Sequence, residues 1–469
     1  MVEEDQDEWM SYATAGYGGA VDPWDDLVPV DSEEEQEDPI DDDDLLFEDD
    51  MPSLRDLDAP PCPAPMGIRH VIRLGCCNFC LSRIGGRLNS DSSLPEIHGS
   101  RIREEAISRD PSIAEIDENY CPFCEDLFQD IDNIVIRILR EIGDVEFSTL
   151  QMGYHISKEL IEEEDSLRKR FGARGAHPLK ASFAGAVETA LKEKLDEVEM
   201  VKEIPDVMIL VDSLTLRVKA EIRPVFYYGR YRKLAKDVPQ TRWPCRACKG
   251  RDGGCDSCEG TGLQYPDSVQ DLIGEPIREA LSAEDTSFHG MGREDIDVRC
   301  LGRGRPFVVE VKKPRIRTID FEQILKLISS RADGKIELDA LRPSNRSEIA
   351  RIKETKAEKS YRIRFDVDGE IPDDSESRIH ELAGVILEQR TPKRVAHRRS
   401  DLVRKRQVIS VENVLIEDNE IQFDVRCQSG TYVKEMVHSD DGRTTPSVAE
   451  ILESECTVLW LDVIDIHAE

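Results

Sequence analysis

The sequence predicts an α+β protein, and three observations carry that expectation. Residues 131–231 alternate between helix-period and strand-period apolar patterns. Residues 290–314, reading GMGREDIDVRCLGRGRPFVVEVKKP, contain two short strand-like runs, 296–300 and 307–312, separated by glycines that suit a hairpin connection. Most of the 13 cysteines fall in C-x-x-C pairs, which in an intracellular chain point to metal ligation rather than to a disulfide framework.

A chain of 469 residues is long enough for roughly three domains of about 150 residues each. Its net charge of -35 is concentrated at the start: residues 1–60 hold 23 acidic residues against the single Arg55. That segment, with EEEQEDPIDDDD followed by APPCPAP, reads as a disordered acidic arm, so a domain of mildly acidic composition is expected from about residue 67. There are 20 lysines against 42 arginines, and none before Lys158, a composition like that of proteins from a salty cytoplasm, as in a halophile-like archaeon. High salt shortens screening, so contacts to phosphate would be local and geometric, and acidity does not exclude RNA. No apolar run approaches the ~20 residues that span a bilayer, and the acidic N-terminus has no secretory core. A soluble, cytoplasmic protein without membrane contact is expected.

Cys77-Asn-Phe-Cys80 and Cys121-Pro-Phe-Cys124 are two C-x-x-C pairs separated by a long insert. Each turn directs two thiolates at one ion, and two turns complete a closed tetrahedral zinc site. Cys76 adjoins this set, but only Cys77 and Cys80 have the two-residue gap. An uncoordinated redox pair is the alternative. Next come helices over 135–142, 159–170 and 181–195 and a tightly linked strand pair over 206–212 and 214–222. The run FYYGRYRKL from Phe226 interleaves aromatic and basic residues, which suits base stacking and phosphate contact as much as a structural edge strand.

The second cysteine block, Cys245-Arg-Ala-Cys248 and Cys255-Asp-Ser-Cys258, places a glycine two residues beyond each pair, at Gly250 and Gly260. It is similar to the cysteine-rich repeat of J-domain chaperones. Its four thiolates predict a second closed, structural zinc site. Further on, in the strand expected over 296–300, Ile296, Val298 and Cys300 share one face, which leaves Arg293, Asp295, Asp297 and Arg299 on the other. A carboxylate beside a guanidinium stays ionised, as a nucleophile or base requires. A surface hairpin with solvated ion pairs presents the same pattern.

GRYRKLAKDVPQTRW, SVQDLIGEPI and GREDIDVRCLGRGRPFVVEV, with KAEKSY ending at Tyr361, QRTPKRVAHRR starting at Gln389, SGTYVKE around Lys434 and DDGRTTP starting at Asp440, resemble the archaeal and eukaryotic tRNA pseudouridine synthase family that modifies uridines 54 and 55. The likeness runs from about Gly67 to the end, with the acidic arm outside it. It implies a THUMP-like α/β RNA-binding region with a zinc module, followed by a catalytic domain on a mixed, largely antiparallel sheet with flanking helices. The expected boundaries are 1–66 for the arm, 67–240 for the zinc-stapled THUMP-like domain, 241–265 for the four-cysteine zinc module and 266–469 for the catalytic domain.

The resemblance implies isomerisation of uridine to pseudouridine at position 55, with 54 as a further target, in the TΨC arm of tRNA. The reaction would use base flipping and no cofactor. Asp295, in Arg293-Glu294-Asp295, matches the essential carboxylate; Asp297 is the fallback, and Glu294 is expected to point away. Tyr361 matches the base-stacking tyrosine. Lys434 matches a basic position expected to pair with Asp295, and Val433 and Leu461 match apolar positions lining a uracil pocket. Arg394, His397 and Arg398, within 391–399, and the Arg404-Lys405-Arg406 run are expected on RNA phosphates. No G-x-G-x-x-G opens a helix and no Walker A sequence appears, which speaks against a nucleotide cofactor. A monomer is expected. The other reading is a non-catalytic, zinc-containing tRNA-binding scaffold.

Overall fold

The computed structural model describes residues 65–85, 95–113, 120–173, 175–251, 253–396 and 400–468; nearly all of the acidic arm, and with it His397 and Arg398, lies outside the described residues. The chain divides into two compact units between Ile222 and Arg223. No helix among the described residues is long and apolar enough to cross a membrane.

The first unit begins with helices α1 (Pro65–Arg73), α2 (Asn78–Ile84), α3 (Pro95–Arg109) and α4 (Ile131–Ile142), continues through β1 (Thr149–His155), α5 (Lys158–Phe171) and α6 (Leu179–Lys192), and ends with β2 (Glu199–Met200), β3 (Val207–Asp212) and β4 (Arg217–Ile222). Ile131, Ile134, Val135, Ile138 and Ile142 recur at helical spacing, so α4 buries one stripe. Its C-terminus falls at Gly143, whose φ of 63° suits a residue without a side chain. The sheet runs β2-β1-β3-β4, with β1 parallel to β2 and β3 and antiparallel pairing of β3 with β4. A parallel β1–β3 pair needs a long crossover, which α5 and α6 supply. The β3–β4 pair is the tightly linked hairpin expected: Asp212 turns the chain by accepting from the Leu214 amide at 3.0 Å and the Thr215 hydroxyl at 2.9 Å.

The second unit comprises β5 (Val225–Lys233), α7 (Val269–Ala280), β6 (Asp285–Gly290), β7 (Arg299–Lys312), α8 (Phe321–Ala332), β8 (Ile336–Ser344), α9 (Arg346–Glu354) and β9 (Glu358–Val367). It continues with α10 (Ser375–His380), β10 (Ile386–Arg390), β11 (Val403–Glu417), β12 (Glu420–Cys427), α11 (Val433–His438), β13 (Thr444–Thr445), α12 (Val448–Leu452) and β14 (Cys456–His467). Nine strands form one sheet path in the order β13-β10-β11-β12-β9-β14-β7-β5-β8, and β6 pairs with β7. Every pairing is antiparallel except β14 with β7, which makes the sheet mixed and largely antiparallel.

Three expectations change here. First, 226–234 is neither an edge strand nor an open RNA-stacking surface. β5 lies between β7 and β8, with Phe226, Tyr227 and Tyr231 buried. Gly229 is required because a side chain there would meet the Phe307 ring and the Ala340 carbonyl, each at 2.9 Å. β5 therefore belongs to the second unit, and the division falls one strand earlier than residue 240. Second, 296–312 is not a hairpin. Arg299–Lys312 is a single strand, and the hairpin partner of its second half is β6. Pairing jumps from Tyr231↔Arg305 to Lys233↔Cys300, so the residues around Gly302 and Gly304 bulge out of a continuous strand. Third, residues 291–298 form a loop between β6 and β7, so Arg293, Asp295, Asp297 and Arg299 are not aligned on one strand face.

The two faces of β9 differ. Ile363, Phe365 and Val367 are buried, and Lys359 and Tyr361 share their side of the pleat. The opposite face carries ion pairs, Arg362 with Asp424 and Arg364 with Glu420.

Candidate active site and metal centres

The loop of residues 291–298 carries the candidate carboxylates. It closes at Asp295, whose carbonyl accepts from the Val298 amide at 3.1 Å. Asp295 is half-buried, its side chain 43% exposed, and its Oδ2 accepts from Arg394 Nη1 at 2.9 Å with Lys434 Nζ at 3.8 Å. Asp297 is the nearer partner of Lys434, at 2.8 Å, so the ammonium expected on Asp295 bridges both acids and lies closer to the second. Burial pushes the Asp297 carboxyl up, and the Lys434 hydrogen bond and charge reverse this, leaving it below the usual carboxylate value.

Both cations are placed by the segments around them. Lys434 stands in the first turn of α11, whose preceding residue Tyr432 is clamped by the fully buried Gln389: its Nε2 donates to the Tyr432 carbonyl and its Oε1 accepts the Tyr432 amide, both at 2.9 Å. Arg394, expected on phosphate, instead engages the buried Glu435 of α11 through Nε at 2.6 Å while reaching Asp295. One guanidinium thus ties the 393–395 turn, α11 and the carboxylate loop together.

Val433 and Leu461 belong to one apolar cluster, against which Tyr361 packs; the cluster also holds Met291 and Val298, which flank the acidic turn. Val433 and Leu461 are buried, and Tyr361 packs at the cluster's margin across from Val425 and Val463. Burial pushes the Tyr361 hydroxyl up, so it stays protonated at neutral pH. Lys359, two residues earlier on the same face, has its ammonium pushed down to about 8 by burial and by the Arg305 charge.

Beneath the turn lies a charged group that the sequence did not single out. Glu294 is buried, not turned outward, and pairs with the fully buried Arg305 at 2.8 Å. It accepts from the Tyr231 hydroxyl at 2.8 Å, and Gln240 Nε2 donates to that hydroxyl at 2.9 Å and to the Gly292 carbonyl at 3.1 Å. Arg305 Nη1 donates to the Met291 carbonyl at 2.7 Å. Lys233 is fully buried as well, and its ammonium faces the carbonyls of Val238, Asp295 and Ile296. Buried charges are indistinguishable from surface charges in a sequence, so no local signal marks this group.

Two cysteine clusters assemble as expected: Cys77, Cys80, Cys121 and Cys124, and Cys245, Cys248, Cys255 and Cys258, each with all four sulfurs within 4.8 Å of one another. A metal with thiolates at about 2.3 Å in a tetrahedron holds its sulfurs about 3.8 Å apart. The sulfurs of Cys77 and Cys124, of Cys245 and Cys255, and of Cys248 and Cys258 are each 3.8 Å apart, so both sets fit such an ion. Amides approach the sulfurs, from Cys77 to Cys121 Sγ at 3.2 Å and from Gly262 to Cys258 Sγ at 3.2 Å. Cys76 donates to the Cys77 carbonyl and stays outside the tetrad.

Comparison with known proteins matches residues 226–467 to the family described as Pus10, C-terminal, and residues 134–212 to the Pus10 THUMP domain, archaeal. A protein named tRNA pseudouridine synthase Pus10 from Methanocaldococcus jannaschii is 38% identical over 356 residues, covering 75% of this chain and 76% of its own length. Its namesake from Methanothrix thermoacetophila is 41% identical over 337 residues, covering 72% of this chain and 74% of its own length. That from Halorubrum lacusprofundi is 35% identical over 401 residues, covering 84% of this chain and 93% of its own length. The mixed sheet of the second unit and strands β1, β2 and β3 of the first fall within these matched regions, apart from Val225 at the start of β5, and the chain belongs to the Pus10 family.

Proposed function

We propose that this chain isomerises uridine 55, and also uridine 54, in the TΨC arm of tRNA to pseudouridine, with Asp295 as the essential carboxylate. As a Pus10 family member it is a tRNA pseudouridine synthase. The observation that carries the assignment of Asp295 is its position: half-exposed, oriented by Arg394, and next to an apolar cluster edged by an aromatic side chain.

The reaction breaks the C1′–N1 bond, turns the uracil and joins C5 to C1′; C5 loses a proton and N1 gains one, so no redox partner is needed. The target base is flipped from the RNA to reach the site. Asp295 attacks the sugar or takes its proton. Tyr361 stacks on the base, Val433 and Leu461 line its pocket, and Lys434 supplies positive charge beside the acidic turn. Arg394 keeps the Asp295 carboxylate oriented. His397, Arg398 and the 404–406 run contact phosphates.

Zinc is the metal that eight thiolates in two tetrahedra suit. Bound there it cross-links the chain and leaves no open position for a reacting group. The low-lysine, acidic composition supports a salty cytoplasm as the working environment, with the protein acting as a monomer and without a nucleotide cofactor.

The test is conversion of an unmodified tRNA transcript under single-turnover conditions. Asp295→Asn is expected to lower the rate by at least ~10³-fold while tRNA affinity stays within about twofold of the unaltered protein. Turnover retained in that variant would overturn the assignment.

A further inference from the structure

We propose that Lys233 is a positioning residue for catalysis, holding the Asp295 carboxylate in place through the backbone of the turn that carries it; this rests on the assignment of Asp295 above. Lys233 ends β5, where pairing with β7 shifts register immediately before it, and its side chain is fully buried. The bulge changes the direction in which the strand delivers that side chain. Nζ donates to the carbonyls of Val238 at 2.7 Å, Ile296 at 3.0 Å and Asp295 at 3.3 Å. An ammonium has three N–H groups, and here each has a carbonyl to meet.

Two of the three acceptors are the peptide groups on either side of Ile296, the first of which directly follows the Asp295 α-carbon. The Ile296 carbonyl also accepts from the Asp237 amide at 3.0 Å, and the Asp295 carbonyl from the Val298 amide. Lys233 thus pins β5, the segment after it and the acidic turn to one point. Side-chain packing alone does not call for an ammonium here: a methionine would occupy similar volume without the cost of burying a charge. The acceptors explain the charge, because an apolar side chain there would take the Lys233 donor from the Val238 carbonyl and cut the link from β5 to the Asp295 and Ile296 carbonyls, which would keep only their backbone donors.

The charged and titratable groups around the ammonium are Glu294, Cys300 and Asp297, which favour its protonated form, and Arg305, which opposes it together with burial. The hydrogen bonds from Lys233 to Val238, Asp295 and Ile296 all go to carbonyls, so its grip is on the main chain rather than on a single acid. Removing it lets the turn drift while leaving Arg394, Lys434 and the apolar pocket intact. A displacement of about 1 Å in a reacting group costs up to ~10²-fold in rate.

The experiment compares Lys233→Met and Lys233→Gln with the unaltered protein by single-turnover conversion of a tRNA transcript, by tRNA dissociation constant and by melting temperature. At least one folded variant is expected to lose about 10- to 100-fold in rate with the dissociation constant within about twofold. A rate within about threefold in every folded variant, or a rate and affinity that fall together, overturns the proposal. If neither variant folds, Lys233 serves folding rather than the placement of Asp295, and the proposal also fails. Asp295→Asn, assayed alongside, separates this outcome from failure of the catalytic assignment: turnover in that variant removes the premise, whereas its loss leaves Lys233 as the only question.

Discussion

The two cysteine clusters share a ligand set and differ in almost everything else. The first joins segments 44 residues apart and is embedded in the core of the first unit, with Cys80, Cys121 and Cys124 buried. The buried Arg83 reaches from it to the rest of the fold, donating to Cys80 Sγ at 3.3 Å and the Phe123 carbonyl at 3.1 Å while pairing with the buried Glu164 of α5. The second cluster brings together cysteines 10 residues apart, Cys245 with Cys255, and is held by its own backbone. Its stem closes through the Pro244–Leu263 bridge and the Trp243–Tyr265 ring contact, and Cys248 and Cys255 are only partly buried. A metal in the first set would staple a domain, while one in the second would close a loop. A motif that looks the same in sequence therefore has an energetic weight set by what surrounds it.

Breaking the first cluster is expected to have the largest effect. Structural zinc contributes about 10–16 kcal/mol of apparent binding free energy in small domains, and the first unit packs its core around Cys80, Cys121 and Cys124. Cys121→Ser is expected to remove one metal equivalent and abolish the cooperative melting of the first unit, as seen by metal analysis and calorimetry. A two-equivalent, normally melting variant would contradict this.

Next in size is Arg83→Met, which keeps all eight thiols but takes from Glu164 its nearer, buried cation and leaves it Arg168 at 3.5 Å. Breaking a buried pair from one side costs about 3–5 kcal/mol, so denaturant unfolding of the first unit should shift by that amount. Metal content should remain at two equivalents. Loss of a metal equivalent instead would show that Arg83 acts by holding the Cys80 thiolate.

Cys248→Ser sharpens the contrast from the other side. It should release one metal equivalent and open residues 245–262 to protease, while the main melting transitions move by less than about 1 kcal/mol, the range of changes away from a packed core. A large destabilisation would mean that the second module supports the sheet, and Arg293, stacked over Trp243 at 5.6 Å, would be the contact to examine.

The smallest expected effect concerns an ion pair between residues 137 apart in sequence, Asp297 and Lys434. Asp297 has a depressed carboxyl, so its pairing with Lys434 contributes fully above the unfolded value of 3.8 and is lost as the pH falls through the lower folded value. Lys434→Met should move the Asp297 titration upward in carboxyl-resolved NMR. An unchanged midpoint would show that another donor sets it.

How much of the site was legible depends on whether its residues carry a local pattern. The C-x-x-C pairs were legible because two thiolates on one turn need a fixed spacing, whereas Asp295 was drawn from a short motif whose neighbours Arg394 and Lys434 lie far off in sequence. The aromatic and basic alternation at β5 was ambiguous: any strand alternates, and only the flanking β7 and β8 show that both edges are covered. Gly302 and Gly304 suggested a turn because positive φ suits a turn and a bulge equally; the Ile464 carbonyl, 2.1 Å from where a side chain on Gly302 would begin, shows why glycine is needed there. Glu294, Arg305 and Lys233 could not be read at all, since their partners come from separate segments.

By itself the sequence determined the mixed helix and strand content, the two thiolate tetrads and the short list from which the carboxylate is drawn, because each rests on spacing along the chain. Tertiary structure alone decided that the acidic turn is a loop, that Arg394 is held by Asp295 and Glu435, that Lys434 lies nearer Asp297, and that one cysteine cluster joins a hydrophobic core while the other, half of it buried, closes a local loop. The physical reason is range. Periodicity and ligand spacing act over a few residues, whereas burial and charge pairing depend on groups that only folding brings within a few ångströms.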